Sequence, residues 1–263
     1  MNKVKALLLA AGLGSRLSPL TDNWPKCLMP IGERPLLEYW LETLYLNDIS
    51  EVLINLHHNA EKVQEFINRP RFKDWVRSVS EKTLLGTAGT LKANIEYFQD
   101  YTTLLIHADN WCQCDFDDFL NHHKTHRPER CPITMMTFES QTPETCGIVE
   151  TDAEGVVLAF YEKSKYPPGN QANGAVYLLE PEVLKWIEKN PEVSDFSNEV
   201  LPHFIGRIAT WQNHGVHRDI GAFAMLKLSQ SDPHPLSLWT ETDTWQKKYL
   251  SNPIHQKIAQ IVF

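Results

Sequence analysis

Short apolar runs alternate with segments of helical period along the first half of the chain, and this alternation restricts the fold more than any other feature. Val4 to Leu9 (VKALLL) reads as a buried strand. Leu36 to Leu46 places Leu37, Trp40, Leu41, Leu44 and Tyr45 at helical spacing. Glu51 to Leu56 is a second strand, and Asn59 is placed to cap a helix that runs through Ile67. Val76 to Glu81 is a shorter strand, Thr87 to Phe98 a helix, and Thr103 to His107 a strong strand that stops at Ala108-Asp109. Strand–helix–strand order at this rhythm predicts an α/β fold with a mostly parallel central sheet flanked by helices. Ligands in such sheets bind beyond the carboxyl ends of the strands.

The second half is richer in strands. Ile133 to Phe138, Gly147 to Thr151, Val156 to Glu162, Ala175 to Leu179 and Ile208 to Trp211 are strand candidates. Pro181 to Lys189 and Asn198 to Phe204 are helix candidates. The Asp-Pro-His-Pro stretch 232–235 breaks the chain, which sets the expected division: a main domain over 1–232 and a helical tail over 233–263. Trp239, Trp245 and Tyr249 in that tail suit either cover for the core or a homodimer interface. No repeat is present, so no β-helix appendage is expected.

Charge excludes one class of partner. With 25 Lys+Arg against 33 Asp+Glu the chain carries a formal −8, whereas a nucleic-acid binder needs a basic surplus. Small anions remain open as ligands, because a few placed cations and backbone N–H groups suffice for them. The five cysteines, an odd number in a chain of this length, read as free thiols in a reducing cytoplasm rather than as a disulfide framework. The apolar run at the N-terminus fits a strand better than a signal peptide, and no later run is long enough to span a membrane.

The segment 9–26, LAAGLGSRLSPLTDNWPK, carries the strongest chemical signal. A strand enters a Gly-x-Gly turn at Gly12 and Gly14. Arg16 follows two residues on, and Pro25-Lys26 ends the segment. Glycines let the backbone approach a phosphate chain and expose N–H groups to its oxygens. A dinucleotide fingerprint would need glycine where Leu17 stands, and a P-loop would need Gly-Lys-Ser/Thr.

With its G-x-G-x-R-L-x-P-L-T and P-K elements at this spacing, the sequence resembles the sugar nucleotidyltransferase family. It is most similar to members that act as mannose-1-phosphate guanylyltransferases. The resemblance implies the nucleotide-diphospho-sugar transferase fold, a central sheet of Rossmann-like type. It also implies a reaction between a nucleoside triphosphate and a sugar 1-phosphate with Mg²⁺ as cofactor. On that resemblance Ala10, Ala11, Gly12 and Gly14 lie against the triphosphate, and Gly86, Thr87 and Ala88 against the nucleobase. A cap at the start of a helix is a second role open to Thr87. Gly147, Glu162, Asn173 and Gly174 contact the sugar, and Lys163 its phosphate. Arg16 neutralises departing pyrophosphate, Lys26 holds the reacting phosphates, and Asp109 and Asp219 carry the metal.

The chain departs from the family at three places. Ala108 stands where glycine usually precedes the metal Asp, Ser164 where proline usually follows Glu-Lys, and Ala222-Phe223 where Thr-Pro is frequent. The Leu-Gly-Thr-Ala-Gly-Thr segment 85–90 resembles guanylyltransferases acting on mannose 1-phosphate or a related sugar. A uridylyltransferase, a non-catalytic regulatory subunit and a transferase acting on phosphocholine are the alternatives. Outside the family pattern, Cys112, Cys114, His122, His123, His126 and Cys131 crowd within twenty residues. His122 and His126 at i, i+4 could seat a metal, but Cys-x-Cys with His-His is no standard zinc spacing, and surface histidines with free thiols are the expectation.

Overall fold

A computed structural model describes residues 3–261. In chain order its elements are β1 (Val4–Leu9), β2 (Pro30–Ile31), β3 (Arg34–Pro35), α1 (Leu36–Leu46), β4 (Val52–Leu56), α2 (Ala60–Ile67), β5 (Val76–Ser80), α3 (Thr87–Ala93), α4 (Ile95–Phe98), β6 (Thr102–His107), β7 (Asn110–Gln113) and α5 (Phe116–Thr125). There follow β8 (Ile133–Glu139), β9 (Gly147–Thr151), β10 (Val157–Glu162), β11 (Gln171–Leu179), α6 (Pro181–Lys189), β12 (Ile208–Gln212), β13 (Val216–Asp219), α7 (Phe223–Ser229), α8 (Thr244–Leu250) and α9 (Ile254–Ala259). The fold is mixed α/β, as the alternation predicts. Among the described residues there is no β-helix, and no helix is long and apolar enough to cross a membrane.

The described chain forms two compact units, each assembled from several stretches. One takes residues 3–7, 85–106 and 113–217; the other takes 8–84, 107–112 and 218–261. The tail residues 233–261 thus belong to the second unit, and the last two residues of the expected tail lie outside the described residues, as do the first two of the chain.

In the first unit β11 is the organising strand. It pairs antiparallel with β6, from Val176 opposite Ile106 to Leu179 opposite Thr103. It also pairs antiparallel with β8 and β9. β12 adds to β8 in parallel, and β9 pairs with β10. Strand β11 begins at Gln171, earlier than its apolar run suggests, and its pairing with β8 shifts register between Asn173 and Tyr177. The irregular stretch from Asn173 to Tyr177 overlaps the start of the apolar run at Ala175, and the polar residues Gln171 and Asn173 ahead of it hide the strand's beginning.

In the second unit β4 and β5 pair in parallel, from Val52 opposite Val76 to Leu56 opposite Ser80. Helix α1 is buried almost all round, including Glu38 and Glu42. Buried carboxylates need paired cations. Arg34 supplies contacts to Glu38 Oε1 (3.3 Å) and Glu42 Oε2 (2.5 Å), and Arg69 Nη1 lies 2.6 Å from Glu38 Oε2. Arg69 Nε also meets Asp243 at 2.6 Å, and Asp243 caps α8 by accepting from Gln246 N. Trp245 packs edge-on to Phe66, and the buried Tyr249 donates its hydroxyl to Leu28 O. The tail is therefore fastened to the second unit by both charge and aromatic packing.

Three local expectations change. The helix 87–98 breaks at Asn94, whose side chain donates to Thr90 O, giving α3 and α4. The segment 196–204 winds as a π turn and then a 3-10 turn, because Pro202 cannot supply an α-helical N–H. Asn59 precedes α2 but does not cap it: it is left-handed (φ 52°), and its side chain donates to Thr21 O instead.

Glu38→Gln is expected to lower the unfolding free energy by about 3 kcal/mol, since it strips a partner from two buried guanidinium groups. Urea titration of the two proteins measures this, and a loss within error of zero would refute the role given to the network.

Candidate active site

The second unit gathers Leu9, Ala10, Gly12, Gly14, Ser15, Arg16, Lys26, Cys27, Asp109 and Gly221 around one cavity of about 150 Å³. Its floor is made where β1 and β6 end. Ala108 N donates to Leu9 O (3.1 Å), which fixes the chain just before Asp109 beside the start of the glycine bend. Ala10 N is held by Asn55 Oδ1 (2.7 Å), and Asn55 Nδ2 donates to Glu81 Oε1 (2.9 Å). A polar residue inside the buried run of β4 must be hydrogen-bonded, and Asn55 is a positioning residue that the sequence reading missed. Ala11 is buried and does not line the cavity.

Gly14 sits at φ +64°, a left-handed conformation, and a Cβ there would come within 2.8 Å of Thr21 Cγ2. Thr21 Oγ1 donates to Gly14 O (2.9 Å), closing the bend. The bend is followed by a short 3-10 turn carrying Arg16, and a second such turn after Pro25 carries Lys26 inward.

Four charged groups then converge. Lys26 Nζ lies 2.6 Å from Asp109 Oδ2 and 2.8 Å from Asp219 Oδ1, and Arg16 Nη2 lies 2.9 Å from Asp219 Oδ2. The Lys26 side chain is only 7% exposed, whereas Asp219 is 50% and Arg16 66%. Asp219 closes β13, and Gly221 N donates back to its Oδ1 (2.8 Å). A Cβ on Gly221 would lie 2.8 Å from Asp219 Oδ1 and 2.9 Å from Lys26 Nζ, and would also strike the Arg16 guanidinium. Gly221 is thus a further site residue beyond those expected, and its sequence signal is the Arg-Asp-Ile-Gly stretch 218–221 that carries Asp219.

Electrostatics follow from this packing. Burial disfavours the Lys26 ammonium, but the charges and hydrogen bonds of Asp109 and Asp219 outweigh it and hold its pKa above the ordinary lysine value. Burial likewise opposes ionisation of Asp219, and Lys26 with Arg16 overcomes it, holding that carboxyl well below the usual carboxylate range. Burial, reinforced by Asp109, pushes the Cys27 thiol up to about 12, so its sulfur stays protonated and is no nucleophile at neutral pH. The two carboxylates reach one nitrogen, and an oxygen donor pair of this kind suits a hard divalent cation. No group of three or more His, Cys, Asp or Glu forms a metal cage among the described residues. Water and phosphate oxygens would complete such a shell, as is usual for Mg²⁺.

The first unit holds the remaining residues, in three places. Glu162 ends β10 opposite Gly147 of β9, and a Cβ on Gly147 would lie 2.7 Å from Glu162 Oε2. Lys163 is left-handed (φ 47°) and donates its N–H to Cys146 O, with its exposed ammonium 3.4 Å from Glu162 Oε1. Asn173 Nδ2 donates to Tyr177 Oη (2.6 Å), and Gly174 O meets His217 Nε2 (2.8 Å). Gly86 (φ +79°) is exposed at the start of α3. Thr87 does not cap that helix; its Oγ1 accepts from Phe196 N (2.7 Å). Ala88 is buried and donates its N–H to Ser194 O (2.9 Å).

Of the Cys/His cluster, His123 is buried and spent on Thr134 Oγ1 (2.7 Å) and Glu180 Oε1 (2.9 Å). His122 stacks on His126, and each described cysteine is a free thiol.

Comparison with known proteins adds the following. The nucleotidyl transferase family model matches residues 5–231. A Sulfolobus acidocaldarius protein assigned as a mannose-1-phosphate guanyltransferase is 29% identical over 199 residues, 75% of this chain and 54% of the relative. A Synechocystis UTP–glucose-1-phosphate uridylyltransferase is 28% identical over 218 residues, 77% of this chain and 55% of the relative. The chain thus spans about half the length of these curated relatives. A crystal structure of a Bacillus anthracis protein assigned as a glucose-1-phosphate thymidylyltransferase, in complex with a sucrose, superposes with TM-score 0.76 at 21% identity. It covers 87% of this chain and 94% of that one, and shares its fold.

A depressed Asp219 pKa keeps the ion pairs present above that value and loses them only as pH falls through it; a raised Lys26 pKa loses them only on the far alkaline side. Followed by ¹³C NMR, the Asp219 carboxyl is expected to remain ionised as pH drops past about 4, the ordinary carboxylate midpoint. In Lys26→Met its midpoint should rise. An ordinary midpoint in the unmutated protein would show that the quartet does not form in solution.

Proposed function

The chain belongs to the nucleotidyl transferase family, and from that premise we propose that it transfers a nucleoside monophosphate from a nucleoside triphosphate to a sugar 1-phosphate, releasing pyrophosphate. The observation that carries this reading is the quartet of Arg16, Lys26, Asp109 and Asp219 around a glycine bend in one cavity. Two cations suit phosphate oxygens, and the open backbone at Gly12 leaves room for a phosphate chain, since a Cβ there would meet nothing within 4 Å.

In the proposed reaction an oxygen of the sugar 1-phosphate attacks the α-phosphorus in line. The new P–O bond forms as the bond to the β-phosphate oxygen breaks, and pyrophosphate departs on the opposite side. No protein nucleophile is required, and the protonated Cys27 supplies none. Arg16 takes up charge on the departing pyrophosphate, and Lys26 holds the phosphate oxygens near the reacting centre. Asp109 and Asp219 would hold Mg²⁺, which when bound offsets charge on the phosphate oxygens. Lys163 grips the sugar phosphate and Glu162 the sugar hydroxyls, with Gly147 leaving space for the Glu162 carboxylate. Asn173 and Gly174 add sugar contacts. Gly86 lies against the base; the N–H of Ala88 is already given to Ser194 O, so base contact at this helix start falls to neighbouring groups.

GTP and mannose 1-phosphate, or a related sugar, are the proposed substrates, a choice supported by the Leu-Gly-Thr-Ala-Gly-Thr segment 85–90 and by the Sulfolobus acidocaldarius relative. The Synechocystis relative favours UTP and a second sugar as the other reading. A purely regulatory role is disfavoured by the presence of all four charged groups.

Arg16→Ala and Asp109→Ala are each expected to cost on the order of 10²–10³ in kcat, the usual loss for one preorganised charge contact. Pyrophosphate release measures this, and full rate in either variant removes that residue from the mechanism. The same assay run with four triphosphates against several sugar phosphates decides the substrates: GTP as the poorest donor would eliminate the guanylyl assignment. Excess chelator is expected to abolish turnover, and undiminished turnover would discard the metal.

A further inference from the structure

We infer that the Lys26 ammonium is a resident counter-ion for Asp109 and Asp219, and that these carboxylates bind a divalent cation weakly until the phosphates of a nucleotide draw Lys26 away. This inference rests on the reading of the cavity as a nucleotidyl-transfer centre. Lys26 Nζ contacts both carboxylates, at 2.6 and 2.8 Å, while its side chain is 7% exposed. Arg16 adds a second cation on Asp219. Two cations therefore face two carboxylates, and the four side chains together carry no surplus negative charge to attract a metal.

A divalent cation arriving alone would have to break both short ammonium contacts and leave a buried lysine charge beside it without an anion. Such a charge is strongly disfavoured. A triphosphate changes the balance, because its oxygens offer Lys26 and Arg16 new anions and release the carboxylates. Gly221 leaves these groups room to move: a Cβ there would lie 2.8 Å from Asp219 Oδ1 and 2.9 Å from Lys26 Nζ and would press on the Arg16 guanidinium as well. Lys26 thereby couples occupancy by metal to occupancy by nucleotide, in addition to its contact with the phosphates.

The test uses Mn²⁺ alone, without nucleotide, titrated into the full chain and followed by electron paramagnetic resonance. The unmutated protein is expected to bind Mn²⁺ weakly. Lys26→Met should bind it on the order of tenfold more tightly, the factor set by losing one charge-assisted hydrogen bond that competes for the carboxylates. Combining Lys26→Met with Asp109→Asn should cancel the gain. Arg16→Met removes the same charge without releasing Asp109, so its gain should be clearly smaller. Equal Mn²⁺ affinity in unmutated and Lys26→Met proteins overturns the inference, as does an equal gain in Arg16→Met.

A second measurement needs no variant. The ¹⁵N resonance of the Lys26 ammonium should shift when a non-hydrolysable GTP or UTP analogue is added without metal. An analogue that binds and leaves that resonance in place also overturns the inference. Failure of the unmutated protein to bind any triphosphate would instead sink the reading of the site, while the Mn²⁺ comparison still judges Lys26 by itself.

Discussion

A buried ammonium must have anions within reach, and much of the second unit is arranged to meet that demand at Lys26. The 3-10 turn after Pro25 carries the lysine into the interior, where it is buried. Its partners must therefore come to it from distant points of the sequence: Asp109 from the end of β6 and Asp219 from the end of β13. The backbone bond from Ala108 to Leu9 brings the first, and the hydrogen bond from Gly221 N to Asp219 orients the second. Each device is small, yet together they decide where charge stands in the cavity. The pKa directions of Lys26 and Asp219 are the electrostatic expression of the same packing.

The same unit solves a second buried-charge problem away from the cavity. Glu38 and Glu42 face inward on α1, and Arg34 and Arg69 neutralise them. Because Arg69 also binds Asp243, this network ties the segment ahead of α8 to α1. Replacing such a network by apolar groups of equal volume need not destabilise a protein, whereas removing one member leaves an unpaired charge. Its contribution is best described as fixing one arrangement of α1, α2 and the tail.

Much of the architecture is legible in the amino-acid order, because strand and helix periods differ and the apolar runs are long enough to tell them apart. β1, β4, β6 and β8 fall on their expected segments, within a residue at each end. The β7–β13 ribbon is not legible in this way. Asn110–Gln113 and Val216–Asp219 are four-residue strands with no clear alternation, so they form by pairing and not by local preference. The breaks at Asn94 and at 196–204 escape the pattern for a related reason: apolar spacing continues through them while a side chain–backbone bond and a proline set the local winding.

For the candidate site, the chain by itself determined which groups were available: the glycine bend, Arg16, Lys26, Asp109 just after a strand, and Asp219. Motif chemistry is local, so residue type and spacing were enough. Only the tertiary structure decided that Lys26 would be buried between Asp109 and Asp219, 83 and 193 positions away. It also decided that Asn55 and Gly221 would shape the cavity and that Cys27 would be an inert thiol. Burial and through-space charge depend on which distant segments become neighbours, and no local pattern records that.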